Sequence, residues 1–223
     1  LVTGIRGFIG THLERALLSL GAEIFGIRLP NESVEGRDSS IRYYSGNLAD
    51  NAFIKNTIEE CDPQYVINLA GNTDRSRDVS AFGRLIDDNL KASCNLLECL
   101  AGRGSLKSVL IVGTAEEYGS GKGPFTESLP ERPVSAYSFS KYCIDRLALA
   151  LFDLYALPVK VVRPSIVYGP DQGAVMFIPS LLQKLVAREE FRMTGGLQKR
   201  DFLYIDDFIS ALLDVSVCDL CIG

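Results

Sequence analysis

The sequence predicts an α/β fold built on a doubly wound parallel sheet, and two observations carry that prediction. Short apolar runs alternate along the chain with segments whose apolar residues recur at helical spacing. A turn spaced by Gly4, Gly7 and Gly10 joins the first run to the first helix, where such a sheet turns its backbone tightly. The alternation implies right-handed crossovers, helices on both faces and ligands at the carboxyl ends of the strands.

Each element follows from its residues. Leu1–Thr3 is a strand. Phe8–Leu20 is a helix, with Ile9, Leu13, Leu17 and Leu20 on one face and Gly21 closing it. Glu23–Arg28 is a strand, Pro30–Ser40 a polar loop and Ile41–Ser45 a short strand. Asp50 caps a helix to Glu60, and Gln64–Ala70 is the fourth strand. Ala81–Ala101 reads as one long helix through Leu85, Ile86, Leu90, Leu96, Leu97 and Leu100. Ser108–Gly113 is a strand, Ser135–Leu154 a helix and Val159–Arg163 a strand. Phe177–Ala187 is a helix, Asp201–Ile205 a strand and Asp206–Val215 a helix. No repeat or low-complexity segment interrupts the pattern.

Bulk properties narrow the function. The 223 residues allow one large core, or one core and part of a second. Twenty-eight acidic against 23 basic residues give −5, and the basic residues are scattered. That argues against nucleic acid or an anionic membrane as partner. The apolar runs are of strand length, too short to span a bilayer, and no signal peptide is legible. Cysteines fall at 61, 94, 99, 143, 218 and 221 and the only histidine is His12. Cys218 and Cys221 have half of a zinc spacing without a second pair, so no metal is expected. A reducing, cytoplasmic setting is expected. Both ends read as cut: Leu1–Val2 is short for a strand, and Cys218–Gly223 stops in a strand running into a turn.

The glycine turn predicts a nucleotide. Gly4 permits the tight turn, Gly7 lets the backbone approach a pyrophosphate, and Gly10 lets helix and strand pack closely. The helix start then offers free N–H groups and a positive dipole. Arg28, not a carboxylate, ends the second strand, and Arg6 lies inside the turn. Two guanidiniums suit a 2′-phosphate, so the charge pattern favours NADP over NAD.

Tyr137 and Lys141 stand four apart on a predicted helix and share one face. An ammonium beside a phenol favours the phenolate, moving proton exchange from the reference value of about 10 toward neutral pH. A phosphate-cradling turn with a tunable phenol suggests hydride chemistry on an alcohol or ketone.

Further motifs follow in order: Asn68-Leu69-Ala70-Gly71; Asn89 and Asn95-Leu96-Leu97; Thr114-Ala115-Glu116-Glu117-Tyr118-Gly119; Tyr137 with Lys141; Arg163-Pro164 and Val167-Tyr168-Gly169-Pro170; Arg200-Asp201-Phe202 with Tyr204, Asp206 and Asp207. With the glycine turn, they give the chain a resemblance to the extended short-chain dehydrogenase/reductases, the NAD(P)-dependent nucleotide-sugar epimerases and dehydratases.

That resemblance implies a Rossmann-like NAD(P) domain at 1–165 and a small, truncated C-terminal substrate lobe at 166–223, with crossover elements returning to the sheet. It implies that Tyr137 takes the proton of the sugar 4-hydroxyl as hydride leaves C4, giving a 4-keto intermediate. Lys141 would lower the tyrosine pKa and hold the nicotinamide ribose, and Thr114 would bond the same sugar oxygen. Glu116 sits where dehydratases of the family keep the carboxylate that removes the C5 proton, although their preceding acid is Ala115 here. Arg200 matches the arginine that binds the substrate diphosphate. The implied cofactor set is Gly4, Arg6, Gly7, Phe8, Ile9, Gly10, Arg28, Asn47, Leu48, Leu69, Ala70, Gly71, Asn89, Tyr137, Lys141 and Pro164.

Departures from the family pattern, Ile166 for asparagine, Asn47 for aspartate and Gly71 for alanine, bear on the substrate more than the fold. The polar stretch Asn72–Asp78 is a candidate sugar contact. The implied substrate is a nucleoside-diphosphate sugar and the implied assembly a homodimer through the two long helices. Two alternatives stay open here: an NADPH-dependent 4-keto-6-deoxysugar reductase, suggested by the Glu-Glu-Tyr run, and a non-catalytic NADP-binding sensor.

Overall fold

Six short runs pair side by side to form the main sheet of the computed structural model, which describes the chain except for Arg75, Arg77, Lys122 and residues 220–223. The strands are β1 (Val2–Thr3), β2 (Phe25–Arg28), β3 (Arg42–Ser45), β4 (Tyr65–Asn68), β5 (Ser108–Val112) and β6 (Val159–Val162). Their order is β3-β2-β1-β4-β5-β6 and every pairing is parallel. Parallel neighbours need crossovers; a loop over 29–41 joins β2 to β3, and helices supply the rest: α1 (Phe8–Ser19), α2 (Asn51–Cys61), α3 (Ser80–Leu85), α4 (Ala92–Leu100) and α5 (Ala136–Tyr155).

The side-chain period of two divides the core. On β5, Val109 and Ile111 join one cluster with Ile54, Ile58, Leu96, Leu97, Leu100 and Ile144, from α2, α4 and α5. Leu110 and Val112 join the other, with Ile5 and Leu13 from the α1 side. The doubly wound expectation is met, with a buried layer on each face of the sheet.

Two local signals behaved as read. The Asp50 side chain accepts from Phe53 N at 3.1 Å and starts α2. Leu20 and Gly21 end α1. Ser135, read only as the start of a helix, caps α5 by accepting from Ser138 N at 3.0 Å.

The expectation of one unbroken helix over Ala81–Ala101 is corrected. A π-helical segment, Ile86–Lys91, lies between α3 and α4. A wider turn rotates the side chains that follow, and it brings Asn89 inward to 1% exposure. A reading at 3.6 residues per turn cannot register such a bulge. A second, two-stranded parallel sheet pairs β7 (Ile166–Tyr168) with β8 (Phe202–Tyr204). The β7 strand is only three residues long and sits between Pro164 and Pro170, too little for a periodic signal.

Between β7 and β8 lies α6 (Phe177–Ala187), none of whose residues is buried. α7 (Ile205–Val217) then returns to the main sheet. Ile205, Phe208, Ile209 and Leu212 join the core cluster of Val2, Ile5 and Leu13. Buried Lys160 fixes its far end, donating to the carbonyls of Val215, Ser216 and Cys218 at 2.8, 3.0 and 2.7 Å. A cation on the last carbonyls of a helix satisfies acceptors that have no partner within it.

The strand order reverses between β1 and β4, so their carboxyl ends open a crevice at that point. No described helix is long and apolar enough to cross a membrane.

Candidate active site

The crevice begins at Gly4, whose φ of +64° suits glycine. A Cβ there would stand 2.8 Å from Ala70 N and 2.9 Å from the Leu69 carbonyl carbon. The turn is therefore pressed against the end of β4. A Cβ on Gly10 would stand 2.4 Å from Gly4 O and 2.7 Å from Ile5 Cα. Gly7 caps α1 without any side-chain acceptor, which leaves the N–H groups of the first turn facing outward. Phe8 and Ile9 open the helix, both partly buried. A tight glycine turn beside an uncapped helix start has the geometry that suits an anion.

The crevice continues from β4 to β5. A Cβ on Gly71 would lie 3.3 Å from Asn89 Oδ1 and 3.5 Å from Lys141 Nζ, so glycine here admits both groups. The Asn89 amide accepts from Asn72 N at 2.6 Å and donates to Asn72 O at 3.0 Å and Ser140 Oγ at 2.9 Å. It ties the loop after β4 to α5, and the π segment is what aims it there. The loop is braced by its own side chains: Asp74 N donates to Asn72 Oδ1 and Ser76 N to Asp74 Oδ1. Arg75 and Arg77 of the proposed sugar-contacting stretch lie outside the described residues, as does Cys221.

Lys141 is buried, and its ammonium donates to Val112 O at 2.8 Å, at the end of β5. Burial holds its pKa below the ordinary lysine value, and Asp145 and Glu117 oppose that fall. Tyr137, one turn earlier on α5, is also buried and packs with Ala81 and Leu85 of α3. Thr114 follows β5 by two residues and caps a short 3₁₀ turn, Ala115–Tyr118. Its Oγ1 accepts from Glu116 N at 3.3 Å. Pro164 O accepts from Ala115 N at 2.9 Å, which places Pro164 beside the turn. Glu116 accepts a hydrogen bond from Ser135 Oγ, the cap of the helix that carries Tyr137 and Lys141.

Other candidates lie apart from this cluster. Asn47 Oδ1 accepts from Ala49 N at 2.9 Å, closing a tight turn. Leu48 beside it is buried, and its carbonyl accepts from Asn95 Nδ2 at 3.0 Å. Arg200 is exposed and donates to the neutral Gln198 at 3.0 Å. Arg6 is partly buried inside the glycine turn. Sequence reasoning gave no role to Glu117, the one wholly buried acid of the Thr114 turn, whose Oε1 accepts from Thr114 N at 2.7 Å. Its signal was present: Thr114 and Glu117 have the spacing of a capping box.

A profile of the NAD-dependent epimerase/dehydratase family matches residues 1–216. A probable dTDP-glucose 4,6-dehydratase of Sinorhizobium fredii is 32% identical over 95% of this chain and 66% of its own length. The chain thus spans about two thirds of that curated relative's length. The UDP-glucuronic acid 4-epimerase of Bacillus cereus, solved with UDP-glucuronic acid and NAD, superposes with a TM-score of 0.88 at 26% identity, covering 100% of this chain and 74% of that one. The dTDP-glucose 4,6-dehydratase of Streptomyces venezuelae, solved with NAD, gives 0.84 at 26% identity over 96% of this chain and 70% of that one.

These findings correct the preference for NADP, since the similar solved structures hold NAD. The structure supplies the reason. Arg28 Nη1 donates to the carbonyls of Leu29 at 3.1 Å and Pro30 at 3.4 Å, and also to that of Glu32. Its guanidinium closes the loop after β2, so one of the two charges counted from the sequence is already engaged.

Proposed function

We propose, from the premise that this chain belongs to the NAD-dependent epimerase/dehydratase family, that it oxidises a nucleoside-diphosphate sugar at C4 and acts through a 4-keto intermediate. One observation carries the reading: the glycine cradle, Gly71, Asn89, Lys141 and Thr114 form a continuous line across the ends of β1, β4 and β5. The cradle fits NAD because glycine at positions 4 and 10 lets the turn pack tightly against β4 and α1, while Gly7 leaves the start of α1 without a side-chain cap. Gly4, Arg6, Gly7, Phe8, Ile9 and Gly10 would hold its pyrophosphate end, with Asn47 and Leu48 near the adenine. Leu69, Ala70, Gly71, Asn89, Tyr137, Lys141 and Pro164 would line its nicotinamide half. Bound there, NAD would supply the hydride acceptor for C4.

The chain's own residues handle the proton. Tyr137 takes it from the 4-hydroxyl as a general base and returns it as an acid. Lys141, held as an ammonium donor on Val112 O, favours the tyrosinate. Thr114 steadies the same oxygen by a hydrogen bond. Arg200, exposed and bound only to a neutral side chain among its described hydrogen bonds, suits the diphosphate. Residues 1–165 would form the cofactor domain and 166–223 part of the substrate lobe.

The test is the whole protein with NAD and a panel of UDP-, dTDP-, GDP- and CDP-sugars, read by mass spectrometry. Loss of one water identifies a dehydratase, and an unchanged mass with a new chromatographic peak an epimerase. No change with any sugar sinks the reading. Glu116 belongs to the dehydratase branch, anchored by Ser135 at the start of the Tyr137 helix. In that branch Glu116→Gln should slow water loss by about 10²–10⁴-fold, the usual worth of a positioned base. C4 oxidation, followed by nicotinamide absorbance, should stay within about tenfold of wild type. Water loss at the full rate in E116Q would remove Glu116 from the mechanism.

A homodimer through α3 and α5 fits an aromatic ridge. The Phe82 and Phe139 rings lie 5.8 Å apart, and Tyr142 continues the row 6.4 Å from Phe139. Both phenylalanines are exposed, where a second copy could cover them. Phe139→Glu should halve the mass seen by light scattering; an unchanged mass would assign the ridge elsewhere. Cys61, Cys94, Cys99 and Cys143 are free thiols, which suits a reducing, cytoplasmic setting.

A further inference from the structure

Behind the site lies a group of charges that the reaction above does not use. Glu117 and Asp145 are both 0% exposed, and one guanidinium serves both. Arg163 Nε lies 3.0 Å from Glu117 Oε2 and 3.0 Å from Asp145 Oδ2. The rest of that guanidinium is engaged: Nη1 donates to the Tyr118 hydroxyl at 3.0 Å and Nη2 to Glu131 at 2.9 Å. Glu131 also pairs with Arg146. The two buried carboxyls crowd the same backbone atom, since a Cβ on Gly113 would meet Glu117 Oε1 at 2.5 Å and Asp145 Oδ2 at 2.8 Å.

Both carboxyls also reach the reacting groups. Glu117 Oε1 accepts the Thr114 N–H at 2.7 Å. Asp145 stands one helical turn after Lys141 on α5, and its Oδ1 is buried without a hydrogen-bond partner. The charged and titratable groups facing the pair are therefore Arg163 after β6, Lys141 from α5, Tyr118 from the 3₁₀ turn, and Glu131 with Arg146 beyond it.

Burial and contact decide the protonation. Arg163 is divided among Glu117, Asp145 and Glu131. Two ionised carboxylates crowded together at 0% exposure would repel each other and each forgo hydration, at a cost of several kcal/mol per ion. Like carboxyls in contact resolve this by keeping one proton between them.

We propose that Glu117 and Asp145 share one proton at neutral pH and act as a positioning pair, holding the Thr114 backbone and fixing the charge beside Lys141. The link to catalysis rests on the Tyr137–Lys141 reading given above. Burial, then the hydrogen bond and charge of Asp145, push the Glu117 carboxyl up to about 9. Burial pushes Asp145 up as well, while Glu117 and Arg163 oppose that. When the shared proton leaves to solvent in alkali, Lys141 faces two anions and holds its own proton more firmly.

The sign of the stability effect follows. A carboxyl raised from 4.5 to about 9 on folding contributes stability that is complete below the lower value and is lost as pH rises through the upper one. Glu117→Gln keeps the shape and an acceptor for Thr114 N–H but cannot ionise. Wild type should therefore lose thermal stability relative to E117Q as pH rises from about 5 to about 9, a window set by those two pKa values. The gap in Tm should widen steadily; parallel curves would overturn the shared proton.

Infrared spectroscopy gives a second readout. Wild type at neutral pH should show a protonated carboxyl band that E117Q lacks. Asp145→Asn should lose it too, because Glu117 then ionises against Arg163. A band that survives in Asp145→Asn overturns the pairing, and this variant serves if E117Q does not fold. For the charge beside Lys141, the protein is labelled with ¹³C at lysine Cε and the Lys141 signal is assigned by its loss in Lys141→Arg. That signal should titrate at lower pH in E117Q than in wild type, and an unchanged titration overturns the positioning role. None of these measurements needs a substrate, so failure of every nucleotide sugar would sink the proposed reaction and leave the pair decided on its own evidence.

Discussion

Tyr137→Phe is expected to abolish oxidation at C4 while leaving NAD bound. The substitution removes one oxygen and keeps the ring against Ala81 and Leu85, so the helix and the cradle are undisturbed. What is lost is the phenol to which the proposed reaction assigns the proton of the sugar hydroxyl, one helical turn before Lys141. Positioned acid–base groups contribute about 10²–10⁴-fold, and the nicotinamide absorbance change in a single turnover should slow by that factor. NAD affinity by calorimetry should stay within about threefold, well under the tenfold that 1.4 kcal/mol represents. Lys141→Met provides the contrast. Its ammonium, bound to Val112 O and close to Gly71, is assigned both to the ribose and to the tyrosinate, so both rate and affinity should fall. A Tyr137→Phe protein that still oxidises sugar within tenfold of wild type would move the base elsewhere.

What the sequence could and could not reveal separates along physical lines. Local signals were legible: the apolar periodicity of α1, the Asp50 cap, the glycines of the first turn. Each depends on residues within a turn or two of one another. The π segment was not legible, because Leu85, Ile86 and Leu90 continue an apolar face whether or not the helix widens; only the position of Asn89 against Asn72 and Ser140 reveals it. The error over Arg28 has a similar origin. A guanidinium at the end of β2 counts as free charge until the carbonyls of Leu29, Pro30 and Glu32 are seen around it. Glu117 was overlooked for the opposite reason. An acid in a polar turn reads as solvated, and its burial depends on Asp145 and Arg163, which are distant in sequence and converge on Gly113 only in the fold.

Gly10→Ala carries the largest expected cost to the fold. Gly10 is a helical residue, so a host-peptide scale would favour alanine by about 1 kcal/mol. Its surroundings reverse the sign. The added Cβ would fall 2.4 Å from Gly4 O and 2.7 Å from both Ile5 C and Ile5 Cα, which are backbone atoms of the cradle and cannot swing aside as a side chain tip could. Relief requires α1 to move away from β1, opening the layer that holds Ile5 and Leu13. Overpacking of a tight site costs about 1–3 kcal/mol, and the upper end applies where backbone must shift. For a domain of this size that corresponds to a fall in Tm of about 6–12 °C. NAD binding should disappear from calorimetry, since the same shift withdraws the first N–H groups of α1 from the pyrophosphate. Gly83→Ala is the control: it lies in α3 with nothing within 4 Å of its Cβ position, so helix propensity should act alone and raise stability by up to about 1 kcal/mol. If both variants shifted Tm in the same direction, close approach of α1 to the cradle would not be what requires glycine at position 10.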